Sequence, residues 1–279
     1  MIKADFHMHS YFSGDSTEPT ENMIAYSIKK GLEHICFTEH MDYDFPYETC
    51  DGMTPWIFDL NVDSYLYELI KLREAYKGKM DIGFGIEIGM LDSCLDKNKK
   101  LINDYDFDFV IASSHICDNM DPWYPRFWEI HDHKEAIRLY FEDELRFINT
   151  YDDYDVYGHL DYITRYIPAK GKNTESPYEY EDFKDIIDEV LKAIIKNGKG
   201  IEINTSGLRP ERACPASNPI PEIVKRYKEL GGEIITVGAD AHKAEHVAYE
   251  FDKAEEILRA AGFKGYHIFK KRKPYFKEF

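Results

Sequence analysis

The sequence predicts an α/β protein with a largely parallel sheet, a (β/α) barrel that forms one domain over residues 1–279. Strand-like and helical segments alternate along the whole chain, which is typical of repeated strand–helix units. A chain of 279 residues, 43% of them hydrophobic, is long enough to bury a large core. A doubly wound dinucleotide-binding fold would need Gly-x-Gly-x-x-Gly after the first strand, and His-Met-His-Ser-Tyr-Phe stands there instead.

Seven strands are predicted from short apolar runs that are followed by polar residues. They cover residues 2–6, 34–38, 81–86, 109–112, 155–158, 200–204 and 233–237. Helices are predicted where apolar residues recur at helical spacing, at residues 20–30, 63–77, 133–149, 179–197, 221–230 and 245–261. Residues 41–60 and 116–131 are predicted as long loops, and the tail from residue 266 as a final short strand. Periodicity alone does not decide between seven and eight strands.

Six of the seven predicted strands end in His, Glu or Asp, each time at the same end. The carboxyl ends of barrel strands meet at one rim, so these side chains are expected to converge. The candidate metal ligands are His7, His9, Asp15, His40, Glu87, His115, His159, Asp240 and His242. Because one zinc ion takes about four ligands, nine candidates indicate two or three ions.

Each candidate also has a purely structural interpretation. Glu87 and Asp240 could cap helices, and His115 and His159 could be buried, hydrogen-bonded histidines. Glu87, however, follows an apolar strand interior, where an unpaired charge is costly. The coincidence at strand ends favours the metal cluster. Five further histidines are predicted to be surface or structural residues: His34, His131, His133, His246 and His267.

Composition narrows the partners and the compartment. A net charge of −17 argues against a nucleic-acid binder but allows an anionic substrate, because clustered divalent cations reverse the local field. Five scattered cysteines without Cys-x-x-Cys indicate reduced thiols and a cytoplasmic location. Neither a membrane span of about 20 apolar residues nor a signal pattern is present. The basic residues 270–273 are predicted to form a solvated face, with binding of an anionic partner as the alternative.

Several motifs in this order resemble the polymerase and histidinol phosphatase (PHP) superfamily. They are Asp5-x-His7-x-His9, Thr38-Glu39-His40, Gly85-Ile86-Glu87, Ser114-His115, Gly158-His159 and Ala239-Asp240-Ala241-His242. The segments 158–166 and 202–209 are similar to the histidinol-phosphatase branch. The resemblance covers nearly the whole chain and implies a distorted (β/α)7 TIM-like barrel of PHP type.

The resemblance also implies a trinuclear centre of divalent ions, which are zinc, manganese or iron. The first ion would be held by His7, His9, Glu87 and Asp240. The second ion would share Glu87 and take His115 and His159, and the third would take Asp15, His40 and His242.

The implied activity is metal-dependent hydrolysis of a small anionic phosphate monoester, L-histidinol phosphate, in histidine biosynthesis. A hydroxide bridging two ions would attack phosphorus in line with the ester oxygen. Arg165 would bind the phosphate through its planar guanidinium, with a surface salt bridge as the alternative, and Arg209 is a second candidate. Asp15, His242 or a metal-bound water would protonate the leaving alcohol.

The loop at residues 116–131 departs from the family pattern and leaves the substrate open. Its aromatic residues Trp123, Tyr124 and Trp128 could pack on an imidazole, and Asp118 or Asp121 could face an amino group; a self-packed loop is the alternative. Other functions also stay open: a phosphoesterase for another sugar or nucleotide phosphate, an exonuclease, or a non-catalytic regulatory metal-binding domain. The oligomeric state is open as well.

Overall fold

A computed structural model describes residues 1–168, 178–212 and 215–279. Within these residues, seven parallel strands form one sheet in the order β1 to β7. The strands are β1 Ala4–Met8, β2 His34–Met41, β3 Asp81–Gly89, β4 Phe109–Ser113, β5 Val156–Tyr157, β6 Gly200–Asn204 and β7 Ile235–Gly238. Because both faces of such a sheet are covered, its strands are buried almost throughout.

The two edges of the sheet meet and nearly close it into a barrel. The His9 N–H donates to the Ala241 carbonyl at 2.9 Å, and the Asp240 N–H donates to the His7 carbonyl at 2.8 Å. The buried Asp5 carboxylate accepts the N–H groups of Ala239 and Ala248, each at 3.0 Å. These bonds join β1 to the segment after β7, so the predicted (β/α)7 barrel is confirmed.

Helices cover the outside of the barrel. They are α1 Thr20–Lys29, α2 Val62–Ala75, α3 Leu95–Asp104, α4 Pro125–Ile130, α5 His133–Thr150, α6 Lys184–Lys196, α7 Pro221–Glu229 and α8 Phe251–Ala260. Each longer helix buries one apolar stripe; α6, for example, buries Ile187, Val190, Leu191 and Ile194. None of the helices in the described part of the chain is both long and apolar enough for a membrane span.

Apart from shifts of up to five residues at the ends of elements, the structure differs from the predicted elements in four places. Helix α3 was not predicted, because it buries only a narrow stripe among charged residues. Short helix α4 interrupts the predicted 116–131 loop, and the tail forms an antiparallel hairpin of β8 Gly265–Lys270 and β9 Lys273–Glu278. Helix α8 begins at Phe251 rather than at residue 245, because Ala248 and Glu250 adopt left-handed backbone with φ of 52°.

His34, the basic tail cluster and the described cysteines take no part in the cluster of side chains at the rim. His34 pairs with Asp81 at 2.8 Å at the opposite end of the barrel. In the basic tail cluster, Arg272 pairs with Asp155 at 2.6 Å, so this part of the cluster stabilises the fold rather than remaining solvated. The four described cysteines are free and buried, and Cys214 lies outside the described residues.

Candidate metal centre

Glu87, at the end of β3, lies at the centre of the carboxyl-terminal rim and is fully buried. Its Oε2 lies 3.2 Å from His7 Nε2 and 3.5 Å from His9 Nε2. Its Oε1 lies 3.2 Å from His115 Nε2 and 3.0 Å from His159 Nε2. One carboxylate therefore faces two pairs of imidazoles through its two oxygens, an arrangement that can bridge two cations.

Asp240, two residues past β7, completes the first of these groups. Its Oδ1 lies 3.8 Å from His7 Nε2 and 3.5 Å from His9 Nε2. The Asp240 backbone has φ of 49°, which is costly for a residue other than glycine. The strained backbone thus turns this carboxylate toward the two histidines of β1.

A third group lies beside the first. The Oδ2 atom of Asp15 is 3.1 Å from His242 Nε2 and 3.6 Å from His40 Nε2. The ring of His9 contacts the rings of His40 and His242 at centroid distances of 4.1 and 4.2 Å, and those two rings are 5.6 Å apart. His40 Nδ1 also lies 3.0 Å from Glu87 Oε2, so the third group adjoins the first. All nine predicted rim residues therefore lie in one continuous cluster.

The hydrogen bonds of three imidazoles fix which nitrogen faces the cluster. Nδ1 of His7 bonds to Glu202 Oε1 at 2.7 Å, and Nδ1 of His115 bonds to Asp42 Oδ1 at 2.6 Å. Nδ1 of His242 bonds to the Asp240 carbonyl at 3.1 Å. These oxygens accept a proton from Nδ1, so Nε2 is the ring nitrogen that faces the cluster and is left to ligate a metal, as is usual for metal-ligating histidines.

The tautomer of His9 is set by two further residues. Its Nδ1 lies 3.0 Å from Ser13 Oγ. The Ser13 hydroxyl donates to Glu39 Oε2 at 2.6 Å and has no second proton to give. Ser13 therefore accepts from His9 Nδ1, and Nε2 of His9 also faces the cluster without a proton.

Several buried atoms of the cluster have no hydrogen-bonding partner among the described residues. They are His7 Nε2, His9 Nε2, His40 Nδ1, Glu87 Oε2 and His242 Nε2. Buried polar atoms are nearly always paired, so a group of unpaired polar atoms that face one another needs an explanation. Divalent cations match this donor set, because imidazole nitrogen and carboxylate oxygen are their usual ligands.

The electrostatics favour ionised carboxylates at the centre. Burial raises the pKa of Glu87, but His7, His40 and His115 outweigh it, so the pKa lies well below its usual value. Burial likewise opposes ionisation of Asp240, and His7 and Arg165 reverse the effect, so its pKa is also lowered. Both side chains are thus anionic at neutral pH and available to cations.

Arg165 lies in the same rim and is almost completely buried. Its Nε donates to Asn218 Oδ1 at 2.7 Å, its Nη1 to Asp240 Oδ2 at 2.8 Å and its Nη2 to Asn204 Oδ1 at 2.9 Å. Arg165 thus forms a salt bridge, as its alternative interpretation expects, but in a buried position rather than on the surface. Since a guanidinium has five N–H donors, two remain for a ligand, one on each Nη.

Arg209 is also buried near the centre but is bound differently. Its Nη2 donates to the carbonyls of Ala239 at 3.0 Å and Asp240 at 2.8 Å. These bonds hold the backbone that presents Asp240. Arg209 lines the same cavity as Arg165, so contact with a phosphate stays a prediction for it.

Sequence reasoning missed the residues that orient the histidines, chiefly Asp42 and Glu202. Asp42 follows His40 by two residues, so the period of two along an extended segment was a usable signal. Glu202 is a charge between two buried isoleucines of β6, which is a second such signal. Gly238 accommodates this arrangement, because a Cβ there would lie 2.3 Å from both Glu202 Oε1 and His7 Cβ.

A cavity of about 350 Å³ opens above the cluster and is large enough for a small metabolite. Its inner end is formed by cluster residues together with Arg165 and Arg209. Its outer wall carries aromatic side chains of the segments after β2, β4 and β5, among them Phe58, Trp123 and Tyr166.

Histidines and carboxylates cluster at the carboxyl-terminal rim of this barrel, below a cavity that arginines line. These features place the protein in the class of metal-binding barrel proteins. Within this class the chain belongs to the PHP family, because the family model described as PHP domain matches residues 5–206.

Relatives with specific names extend the match. The histidinol-phosphatase of Lactococcus lactis is 33% identical over 94% of this chain and 93% of its own. A probable histidinol-phosphatase of Clostridium acetobutylicum is 32% identical over 93% of this chain and 94% of its own. The crystal structure of the Lactococcus lactis histidinol phosphate phosphatase, complexed with zinc, L-histidinol and phosphate, superposes with a TM-score of 0.87 at 32% identity and covers 98% of both chains.

Proposed function

We propose that this protein is a metal-dependent phosphatase that hydrolyses L-histidinol phosphate to L-histidinol and phosphate. The observation that carries the proposal is Glu87, whose two oxygens face two pairs of imidazole nitrogens. The named relatives, which match over more than nine-tenths of the chain, supply the substrate.

The grouping of side chains supports three divalent ions. The first would be held by His7, His9, Glu87 and Asp240, the second by Glu87, His115 and His159, and the third by Asp15, His40 and His242. Asp42, 3.6 Å from His40 Nδ1 and bonded to His115, belongs to the shell around the second and third groups. Zinc is the ion in the Lactococcus lactis structure, and the same ligand set also suits manganese and iron.

When bound, the ions supply positive charge for the phosphoryl oxygens and activate water for attack on phosphorus. Arg165 adds the two N–H groups that its protein contacts leave free, one on each Nη. This fork matches two phosphate oxygens and orients the ester. The low exposure of the Arg165 side chain, 3%, strengthens such charged hydrogen bonds because little water competes.

The leaving alcohol needs a proton, and we assign its delivery to Asp15. His242 is the other candidate, but its Nδ1 proton is held by the Asp240 carbonyl and its Nε2 faces the cluster. Burial raises the pKa of Asp15, but His242 and His40 outweigh it and hold the pKa well below its usual value, so Asp15 has no proton of its own before the reaction. A carboxylate has two oxygens, so one oxygen of Asp15 could contact a cation while the other takes the proton released by the attacking water and passes it to the leaving alcohol. Asp15 is also the more exposed of the two, at 41% against 22%.

The same proposal treats residues 1–279 as one domain that acts in the cytoplasm. One hydrophobic cluster runs from Ile2 to Phe269, and the described cysteines are unpaired, as expected in a reducing compartment.

The test is phosphate release from L-histidinol phosphate by protein loaded with zinc or manganese, with metal equivalents per chain measured on the same sample. We expect turnover that disappears on chelation and returns with metal. A sample with about three metal equivalents that hydrolyses other phosphomonoesters, but not this one, would contradict the substrate assignment. A loaded sample without turnover of any phosphomonoester would favour a regulatory metal-binding domain.

A further inference from the structure

The cavity above the cluster has two chemically different sides. The guanidinium of Arg165 points toward the ends of β6 and β7, where it bonds to Asn204 and Asp240. Asp121 lies in the segment after β4, three strands away from β7, and lines the same cavity. A ligand in the cavity therefore meets a guanidinium and a carboxylate that different segments contribute.

The Asp121 side chain is set up to bind a donor. The residue is only 9% exposed. Its Oδ1 accepts the Trp123 N–H at 2.8 Å, and its Oδ2 has no bonding partner among the described residues. A mostly buried carboxylate whose free oxygen faces a cavity can form a charged hydrogen bond with a ligand that donates to it. Burial raises the pKa of Asp121 to about 6, so this group is mainly ionised at pH 7.5.

An aromatic wall runs beside Asp121. The ring of Tyr162 lies 5.3 Å from that of His115, and Tyr166 lies 5.2 Å from Tyr162. Trp123 then lies 5.3 Å from Tyr166 and is 59% exposed at the mouth. Aromatic faces attract cations and stack on flat rings, so this wall suits a positively charged or heteroaromatic group.

We propose that Asp121 is the specificity-determining residue of this site, and that it binds the cationic nitrogen end of the substrate while Arg165 binds the phosphate. The proposal rests on the proposed phosphatase function and adds the recognised class: phosphomonoesters that carry an ammonium or imidazolium group. Asp118, in the same loop, is excluded from this role, because its side chain is 61% exposed and lies 3.4 Å from His131.

The test compares Asp121→Asn with the matched control Asp118→Asn in the metal-loaded protein. The two substrates are L-histidinol phosphate and phenyl phosphate, which lacks a cationic group. For Asp121→Asn we expect kcat/KM to fall about 10- to 100-fold with L-histidinol phosphate, as for a lost hydrogen bond to a charged group. With phenyl phosphate it should change less than about twofold, and Asp118→Asn should match the wild type with both.

Direct binding of L-histidinol, measured by calorimetry, separates this proposal from the proposed function. If the wild type binds L-histidinol about 10-fold more tightly than Asp121→Asn does but hydrolyses no L-histidinol phosphate, recognition by Asp121 stands and the phosphatase assignment fails. If turnover is present and Asp121→Asn leaves both substrates and L-histidinol binding unchanged, the role of Asp121 is refuted. Equal losses with both substrates would also refute it, since they would mean general damage to the site.

Discussion

Replacing Arg165 by lysine tests the most detailed claim about substrate binding. The guanidinium uses three of its five N–H donors inside the protein, on Asn218, Asp240 and Asn204, and offers two to the phosphate. A lysine keeps the charge but has three donors on a single atom, so it cannot serve both sets. We expect Arg165→Lys to lose at least one charged hydrogen bond to the phosphate, about 1.5–3 kcal/mol, which corresponds to about 10- to 150-fold in kcat/KM.

The alanine variant extends the series. Arg165→Ala removes both phosphate contacts, so the expected loss is about 3–6 kcal/mol, or more than 100-fold. It also leaves Asp240 without its guanidinium partner, so metal equivalents per chain must be measured beside the kinetics. A matched control is Arg226→Lys, since Arg226 makes a two-point contact with Asp188, at 2.8 and 2.6 Å, on the surface of the protein.

The assay is steady-state phosphate release from L-histidinol phosphate at fixed metal loading. If Arg165→Lys keeps its full metal content and its kcat/KM stays within about threefold of the wild type, the claim that Arg165 donates two N–H groups to the phosphate is refuted. Loss of activity in proportion to loss of metal would instead mean that Arg165 acts only by holding Asp240.

Three further predictions concern the surroundings of the cluster. Glu202→Gln removes the carboxylate that orients His7 and should weaken zinc binding about 10- to 100-fold in a chelator competition; unchanged affinity would contradict this role. Gly238→Ala forces a Cβ against Glu202 and His7, so the free energy of unfolding in urea should fall by about 1–3 kcal/mol and the protein should bind less metal. A variant with full stability and full metal content would show that the surrounding side chains can move to accept the Cβ. Glu144 is a buried acid, and burial together with Asp161 raises its pKa well above normal. The unfolded chain therefore releases this proton at a lower pH than the folded protein does, and the wild type should lose roughly 1 kcal/mol of stability relative to Glu144→Gln for each pH unit above about pH 5. A stability difference that is the same at pH 5 and pH 7 would refute the raised pKa.

The fold was predictable to the extent that local pattern decides it. The stripes of α6 and α5 and the apolar runs of the strands reflect burial directly, and these elements appear within a few residues of their predicted bounds. Helix α3 escaped prediction because it buries little more than Asn98, Leu101 and Ile102. The late start of α8 results from left-handed backbone at Ala248 and Glu250, residue types that give no local signal for it.

The candidate site divides in the same way. The sequence by itself determined that the histidines and carboxylates come directly after the strands, and parallel strands bring such residues to one rim. Only the tertiary structure decided which atoms face one another. It places Glu87 between two pairs of imidazoles, uses Glu202 and Asp42 to orient His7 and His115, and lines the cavity with Asp121 rather than Asp118. The reason is physical: strand order and side-chain period determine only which residues are neighbours along a strand or on adjacent strands. The direction of a side chain across the barrel depends on packing and hydrogen bonds between segments that lie up to about two hundred residues apart.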